Sequence, residues 1–118
     1  MGPRRTPADL LPLTAPSFHV LVALADGEKH GYAILKDVKR RSDGRVTLTA
    51  GTLYGVIRRL LADGLIVESD ERPDPSLDDE RRRYYRLTPF GRNVAAAEAD
   101  RLAAMVDMAR AKKLIRST

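Results

Sequence analysis

A stretch with two distinct faces, residues 46–66, constrains the fold of this chain most strongly; it reads VTLTAGTLYGVIRRLLADGLI. At about 100° of rotation per residue, its apolar side chains form one face: Leu53, Val56, Ile57 and Leu60. The opposite face has no acid and consists of Gly51, Thr52, Gly55, Arg58 and Arg59. A glycine inside a helix costs about 0.5–1 kcal/mol relative to alanine. Two of them on one polar face indicate that another molecule approaches the backbone.

A helix with one apolar face and an opposite face that is basic and carries small residues fits the major groove of DNA. On this stretch alone, a surface helix that is basic by chance is the alternative. The flanking sequence favours the first interpretation.

Composition indicates a globular protein with a polyanionic partner. The chain has 118 residues, the size of one domain, and a formal net charge of +5. Residues 70–80, DERPDPSLDDE, hold six acids and one arginine, so this segment carries −5 and the remainder +10. No signal peptide and no apolar run that could span a bilayer is apparent, and the chain has no cysteine. We therefore expect no membrane association and a cytoplasmic location.

Two helices are expected before the stretch with two faces. Residues 14–25 have Thr14 as a helix N-cap and Pro16 in the first turn. Residues 30–41 form the second helix, with His30 as an N-cap or turn residue. Thr49 is the preferred N-cap of the third helix, because the apolar period begins directly after it.

Two strands and a last helix follow. Residues 65–67 and 81–87 read as paired strands, with Tyr85 facing one way and Arg86 the other. Residues 88–118 read as a long helix capped by Thr88. Its apolar strip is too long for a small domain to cover, so we predict a dimer interface of Val94, Leu102, Met105, Val106 and Ala109. A cap within one monomer is the alternative.

The order of these elements predicts a mainly α fold with a small β wing. Residues 14–87 form a winged helix-turn-helix domain, and residues 88–118 a long C-terminal dimerisation helix. Residues 1–13 contain three prolines and no helical period, which predicts a flexible, extended N-terminal arm. Arg4 and Arg5 in this arm could reach DNA phosphates or the minor groove, although a disordered end is the simpler interpretation.

The sequence contains no recognisable catalytic, metal or cofactor site. It has two histidines and no cysteine, so no metal-ligand set is apparent. It also has no glycine-rich phosphate loop and no pair of carboxylates beside a histidine. We therefore expect a protein that is not an enzyme and needs no cofactor.

Three motifs in register resemble those of the PadR-like transcriptional regulators. They are HGYAIL at 30–35, GTLYGVIRRLLADGLI at 51–66 and RRRYYRLTPFGR at 81–92. The resemblance implies a dimeric DNA-binding transcription factor of a bacterium or archaeon, most often a repressor of nearby genes. It places five residues at or near the DNA: Thr52, Tyr54, Gly55, Arg58 and Arg59. This chain departs from the family pattern in its acidic wing tip, and it resembles the short form of the family, for which a single C-terminal helix is expected.

The predicted partners are double-stranded DNA and a second copy of the chain. Arg58 or Arg59 is expected to bind a guanine edge, and the methyl group of Thr52 a thymine methyl. The start of the helix, Thr49 and Gly51, is expected to lie beside them, and the basic strand Arg81, Arg82 and Arg83 on phosphates. Tyr54 either donates its hydroxyl to a phosphate or packs in the core.

A two-fold dimer implies an inverted-repeat operator and repression by occlusion of a promoter. Whether a small-molecule effector relieves repression stays open at this stage. The alternative function is a protein–protein interaction module, with the acidic residues 70–80 as its contact surface.

Overall fold

The computed structural model describes residues 5–69 and 83–115. Within these ranges the helices are α1 (Ala15–Ala23), α2 (Gly31–Arg41), α3 (Ala50–Ala62) and α4 (Pro89–Ala111). The strands are β1 (Lys29–His30), β2 (Ile66–Ser69) and β3 (Tyr84–Leu87). A 3-10 helix (Pro7–Leu10) precedes them. The predicted fold class, mainly α with a small β wing, is confirmed.

Each of the four described α-helices begins at a side chain that accepts a hydrogen bond from its first turn. Thr14, Thr49 and Thr88 accept through their hydroxyls. His30 accepts through Nδ1, which lies 3.1 Å from the backbone nitrogen of Ala33. Such caps satisfy N–H groups that have no partner within the helix. The N-caps predicted from the sequence are therefore the ones that the structure uses.

The three strands form an antiparallel sheet in which β3 is central. In the pairing of β2 with β3, Ile66 lies opposite Leu87 and Ser69 opposite Tyr84. On the other edge, β1 pairs with β3 and places His30 opposite Tyr84. The sequence did not predict β1, because a two-residue strand carries no detectable period.

Side chains of β3 alternate as predicted: Tyr85 is buried in the core and Arg86 is exposed. The apolar face of α3 packs against α1, α2 and the sheet. The buried hydrophobic residues of this single core are Val20, Leu21, Ala23, Leu24, Ile34, Val38, Leu53, Ile57, Leu60, Leu65, Ile66, Tyr85 and Val94.

Within the predicted extended arm, residues 5–13 pack onto the domain. Leu10, Leu11 and Leu13 lie partly buried against the core. Arg5 donates from Nη2 to the carbonyl oxygen of Asp63 at 2.9 Å. The prolines correctly indicated that this segment contains no long helix. The three leucines bury apolar surface, and this burial holds the segment on the domain. Arg4 lies outside the described residues.

A buried carboxylate on α4, that of Glu98, also holds the N-terminal segment through a hydrogen bond. Glu98 is only 1% exposed, and one of its oxygens accepts a hydrogen bond from the backbone N–H of Leu13 at 2.8 Å. The guanidinium of Arg101 donates to both oxygens of Glu98. This guanidinium holds the pKa of the Glu98 carboxyl below its ordinary value, while burial acts in the opposite direction and the Leu13 N–H adds to the lowering. The acid is thus charged and fully partnered.

The start of α4 lies directly on the segment that joins α3 to β2. Thr88 donates from its backbone nitrogen to the carbonyl oxygen of Leu65 at 3.1 Å, and from its hydroxyl to the carbonyl oxygen of Gly64 at 2.6 Å. A Cβ atom on Gly91 would lie 1.8 Å from the Leu65 oxygen. Only glycine allows α4 to come this close.

Among the described helices, none is long and apolar enough to cross a membrane.

Two glycines in the first turns of helices should respond oppositely to substitution by alanine. Gly91→Ala forces a methyl group onto a backbone oxygen and should lower the free energy of unfolding by about 3 kcal/mol. Gly51→Ala meets no atom within 4 Å and should raise it by up to about 1 kcal/mol. Urea denaturation of both variants measures the difference. Equal effects would mean that the contact with Leu65 does not limit the packing of α4.

Glu98 should make stability depend on pH. Its folded-state pKa is lowered, so its contribution is complete above the unfolded value of about 4.3 and is lost as the pH falls below it. Glu98→Gln should therefore be less stable than the parent at neutral pH and lose less stability on acidification. Urea denaturation across a pH series tests this, with Asp100→Asn, an exposed acid on the same helix, as the control. A parent-like acid transition in Glu98→Gln would contradict the assignment.

Candidate nucleic-acid interface

The outward face of α3 is basic and carries no acid along its length. The residues exposed on it are Thr49, Gly51, Thr52, Arg58, Arg59 and Ala62, and Gly55 lies half-buried among them. The hydroxyl of Thr49 accepts from the N–H of Thr52 at 3.1 Å and donates to the Thr52 hydroxyl at 3.0 Å. Thr52 therefore keeps its methyl group and its own hydroxyl proton available at the start of the helix.

The two glycines of this face are not required by packing inside the protein. A Cβ atom on Gly51 would meet nothing within 4 Å, and one on Gly55 would meet only Nη2 of Arg58 at 3.9 Å. Neither has a positive φ, so alanine could replace either without strain. Their lack of side chains leaves a bare strip of helix backbone that faces away from the protein.

The two arginines lie on opposite sides of that strip. Arg58 borders a groove between α3 and the sheet, whose other walls include Tyr54, Glu68 and Arg83. Arg59 borders a smaller pocket lined by Leu10, Pro12 and Asp63. Arg58 thus faces the wing, while Arg59 faces the N-terminal segment.

The wing presents further cations. Arg83, just before β3, is exposed beside α3, and its Nε atom lies 3.5 Å from a carboxylate oxygen of Glu68. Arg86, on β3, is exposed on the other face of the sheet, next to Gly27 and Arg92. Of the predicted phosphate-binding set, Arg81 and Arg82 lie outside the described residues, as does the acidic segment 70–80.

The basic end of α2 is partly neutralised by acids, which the sequence did not reveal. Asp37 is 4% exposed and accepts hydrogen bonds from both Arg40 and Arg41. Arg41 also pairs with Asp26 at 3.2 Å. Lys29 donates a hydrogen bond to Asp26 and thereby lowers the pKa of that carboxyl, so Asp26 is charged at neutral pH. This end of α2 contributes less positive field than its three consecutive cations suggest.

Tyr54 is half-buried and packs against the core. Its hydroxyl oxygen lies 2.8 Å from the position that a Cβ atom on Gly31 would occupy. The ring therefore fills the space between α3 and the start of α2, which favours the packing alternative for this residue.

An apolar surface runs along the outer part of α4. Of the predicted dimer residues, Met105 and Val106 are 49% and 43% exposed, and Leu102 and Ala109 are partly exposed. Val94 is 0% exposed because it faces α1 and the sheet, so its side chain lies in the core of one protomer and not on this surface. Met108, Leu114 and, on α1, Val22 are exposed apolar residues that the predicted set did not include.

No group of three or more His, Cys, Asp or Glu side chains that could hold a metal ion occurs within the described ranges 5–69 and 83–115. Among the buried side-chain polar atoms of these residues, each has a hydrogen-bond partner. Among the described residues, the site is thus a charged surface over a core whose buried side-chain polar atoms are hydrogen-bonded.

Comparison with known proteins identifies the family. The model of the transcriptional regulator PadR-like family matches residues 20–97. The transcriptional regulator Rv3488 of Mycobacterium tuberculosis is 40% identical over 89 residues, which make up 75% of this chain and 75% of that protein.

Solved structures show the same fold. A PadR family transcription regulator from Clostridium difficile is similar with a TM-score of 0.67 and 20% identity, covering 82% of this chain and 96% of that one. BpsR of Bordetella bronchiseptica is similar with a TM-score of 0.62 and 30% identity, covering 81% of this chain and 64% of that one. The α3 surface, the family match and the relative from Mycobacterium tuberculosis agree: the chain belongs to the PadR-like family of transcriptional regulators and is a DNA-binding regulator, not an enzyme.

Proposed function

We propose that this regulator is a repressor that binds an inverted-repeat operator as a homodimer, with α3 in the major groove. The bare strip at Gly51 and Gly55 carries the proposal, because neither glycine is needed for packing within the protein. The two glycines lower the helix propensity of α3, and no contact in the folded monomer requires them. A second molecule that must approach the backbone explains their presence.

Base recognition is assigned to Thr52 in the first turn of α3 and to Arg58 on the side of the helix that faces the wing. The methyl group of Thr52 would contact a thymine methyl. Arg58 would bind the O6 and N7 atoms of a guanine, and it is favoured over Arg59 because it borders the groove between helix and wing. Arg59 lies in the last turn beside the N-terminal segment, where a phosphate contact suits it better.

The wing would supply sequence-independent affinity. Arg86 is exposed on the face of the sheet that points away from α3. Arg83 borders the groove beside α3, and Arg81 and Arg82 precede it in the chain. Cations at these positions would neutralise phosphates and release counterions, so binding should weaken as salt increases.

The dimer would form through the outer surface of α4. Met105, Val106 and Met108 are large apolar side chains that water contacts in the monomer. Removing them from water is favourable by about 25 cal/mol per Å² of apolar surface. Pairing with a second α4 would cover this surface and set two α3 helices at a fixed spacing, as an inverted repeat requires.

We extend the proposal to relief of repression by a small molecule. The solved structure of BpsR concerns regulation of its DNA binding by 6-hydroxynicotinic acid. In the present chain, Met105 and Met108 would give a dimer interface able to adapt its shape to an apolar ligand.

Gly55→Leu should separate DNA binding from folding. In the free protein a Cβ atom at this position meets only Nη2 of Arg58, at 3.9 Å, and leucine has the higher helix propensity, so thermal stability should equal or exceed that of the parent. In the major groove it would hold α3 away from the bases, and specific binding should be lost. Ala96→Leu, which adds a similar side chain at an exposed position of α4, should keep DNA binding. Unchanged affinity in Gly55→Leu, or a loss of fold, would argue instead for a protein–protein surface on α3.

Charges placed on the outer surface of α4 should separate the two subunits. Replacing Leu102 and Val106 together by Asp should halve the molar mass in light scattering and weaken operator binding strongly, because each subunit would then grip one half-site alone. Asn93→Asp, at an exposed position about 180° around the helix from Leu102, serves as the control and should remain dimeric. A parent-like molar mass for the double variant would place the interface elsewhere.

A further inference from the structure

The start of α2 and the recognition helix α3 meet at one contact between Gly31 and Tyr54. A Cβ atom on Gly31 would lie 2.8 Å from the hydroxyl oxygen of Tyr54, 3.2 Å from its Cζ atom and 3.4 Å from its Cε1 atom. Gly31 is buried and has no positive φ, so its backbone conformation alone does not require glycine. The space it leaves is filled by the Tyr54 ring.

The residue next to Gly31 ties the same point to the wing. His30 caps α2 through its Nδ1 atom and pairs with Tyr84 in the sheet. Its ring also meets the ring of Tyr84 edge to face, with 5.4 Å between centroids. The dipeptide His30-Gly31 therefore contacts β3 on one side and α3 on the other.

We propose that Tyr54 is a positioning residue, whose ring, seated on Gly31, fixes the angle between α2 and α3 and the distance of α3 from the wing. Tyr54 directly precedes Gly55 and lies one helical turn before Arg58. Any displacement of its ring therefore turns or shifts the exposed face that reads DNA. This inference rests on the proposed function of α3 and deepens it.

The contact is steric, so substitutions at either Gly31 or Tyr54 can test it. An alanine methyl at position 31 would lie only 2.8 Å from the Tyr54 hydroxyl oxygen, closer than van der Waals contact allows, so it must move the ring or the start of α2, whereas the contacts at 3.2 and 3.4 Å require much smaller shifts. The ring is rigid and packs against the core, so it cannot yield at its hydroxyl alone. Removing that hydroxyl takes away the shortest of the three distances and leaves the ring in place.

Four proteins test the proposal: the parent, Gly31→Ala, Tyr54→Phe and the double variant. We expect Gly31→Ala to lose about tenfold in affinity for an operator selected from random DNA, the equivalent of ~1.4 kcal/mol. Its affinity for unrelated DNA should stay the same, because exposed arginines outside this contact provide that binding. Tyr54→Phe alone should bind the operator like the parent, and the double variant should recover most of the lost affinity. Ala96→Ser, which adds one heavy atom at an exposed position of α4 outside the proposed DNA and dimer surfaces, is the control for added volume.

Three results would overturn the positioning role: parent-like operator binding by Gly31→Ala, no recovery in the double variant, or a loss in Tyr54→Phe, which would make the hydroxyl a direct DNA contact. Should Gly31→Ala not fold, Tyr54→Leu replaces it. Tyr54→Leu removes the ring without adding atoms and should lose operator affinity, whereas Tyr54→Phe should not. Equal binding by both would again overturn the proposal. A parent that selects no operator would overturn the proposed function itself, so the two failures are distinguishable.

Discussion

The close approach of α4 to the carbonyl group of Leu65 joins the two halves of the molecule. Gly91 allows this approach, and the two hydrogen bonds from Thr88 to the Gly64 and Leu65 carbonyls hold it. Leu65 follows α3 and precedes β2, so the end of α3, the start of β2 and the start of α4 meet at this contact. In the proposed dimer, the spacing of two recognition helices would depend on this joint.

Acids neutralise cations at the end of α2 and on α4, whereas α3 itself contains no acidic residue. Buried Asp37 takes up Arg40 and Arg41 at the end of α2, and buried Glu98 takes up Arg101 on α4. Each buried acid is fully partnered, because an unpaired buried charge is strongly destabilising. The positive field of α2 and α4 is therefore weaker than their sequences suggest, while no acid on α3 weakens the field of its own arginines.

Local signals in the sequence predicted the helices and the basic face of α3. Contacts between segments far apart in the chain could not be predicted from the sequence. The hydroxyl caps Thr49 and Thr88 act within one helical turn, so their pattern is visible in the sequence. The packing of Leu13 and Glu98 joins residues far apart in the chain, and neither residue type reveals its partner. Val94 has the same apolar character as the exposed α4 residues, and only the tertiary structure shows that it faces the core.

Selection of bound sequences from random double-stranded DNA with the purified protein tests the central claim most directly. A dimer that presents two α3 helices should enrich an inverted repeat whose half-sites lie about one or two helical turns apart. It should also enrich a guanine within each half-site, as expected for a bidentate arginine. Enrichment of a single unrepeated site would contradict the dimer, and no enrichment at all would contradict the assignment of α3 as the helix that reads the bases.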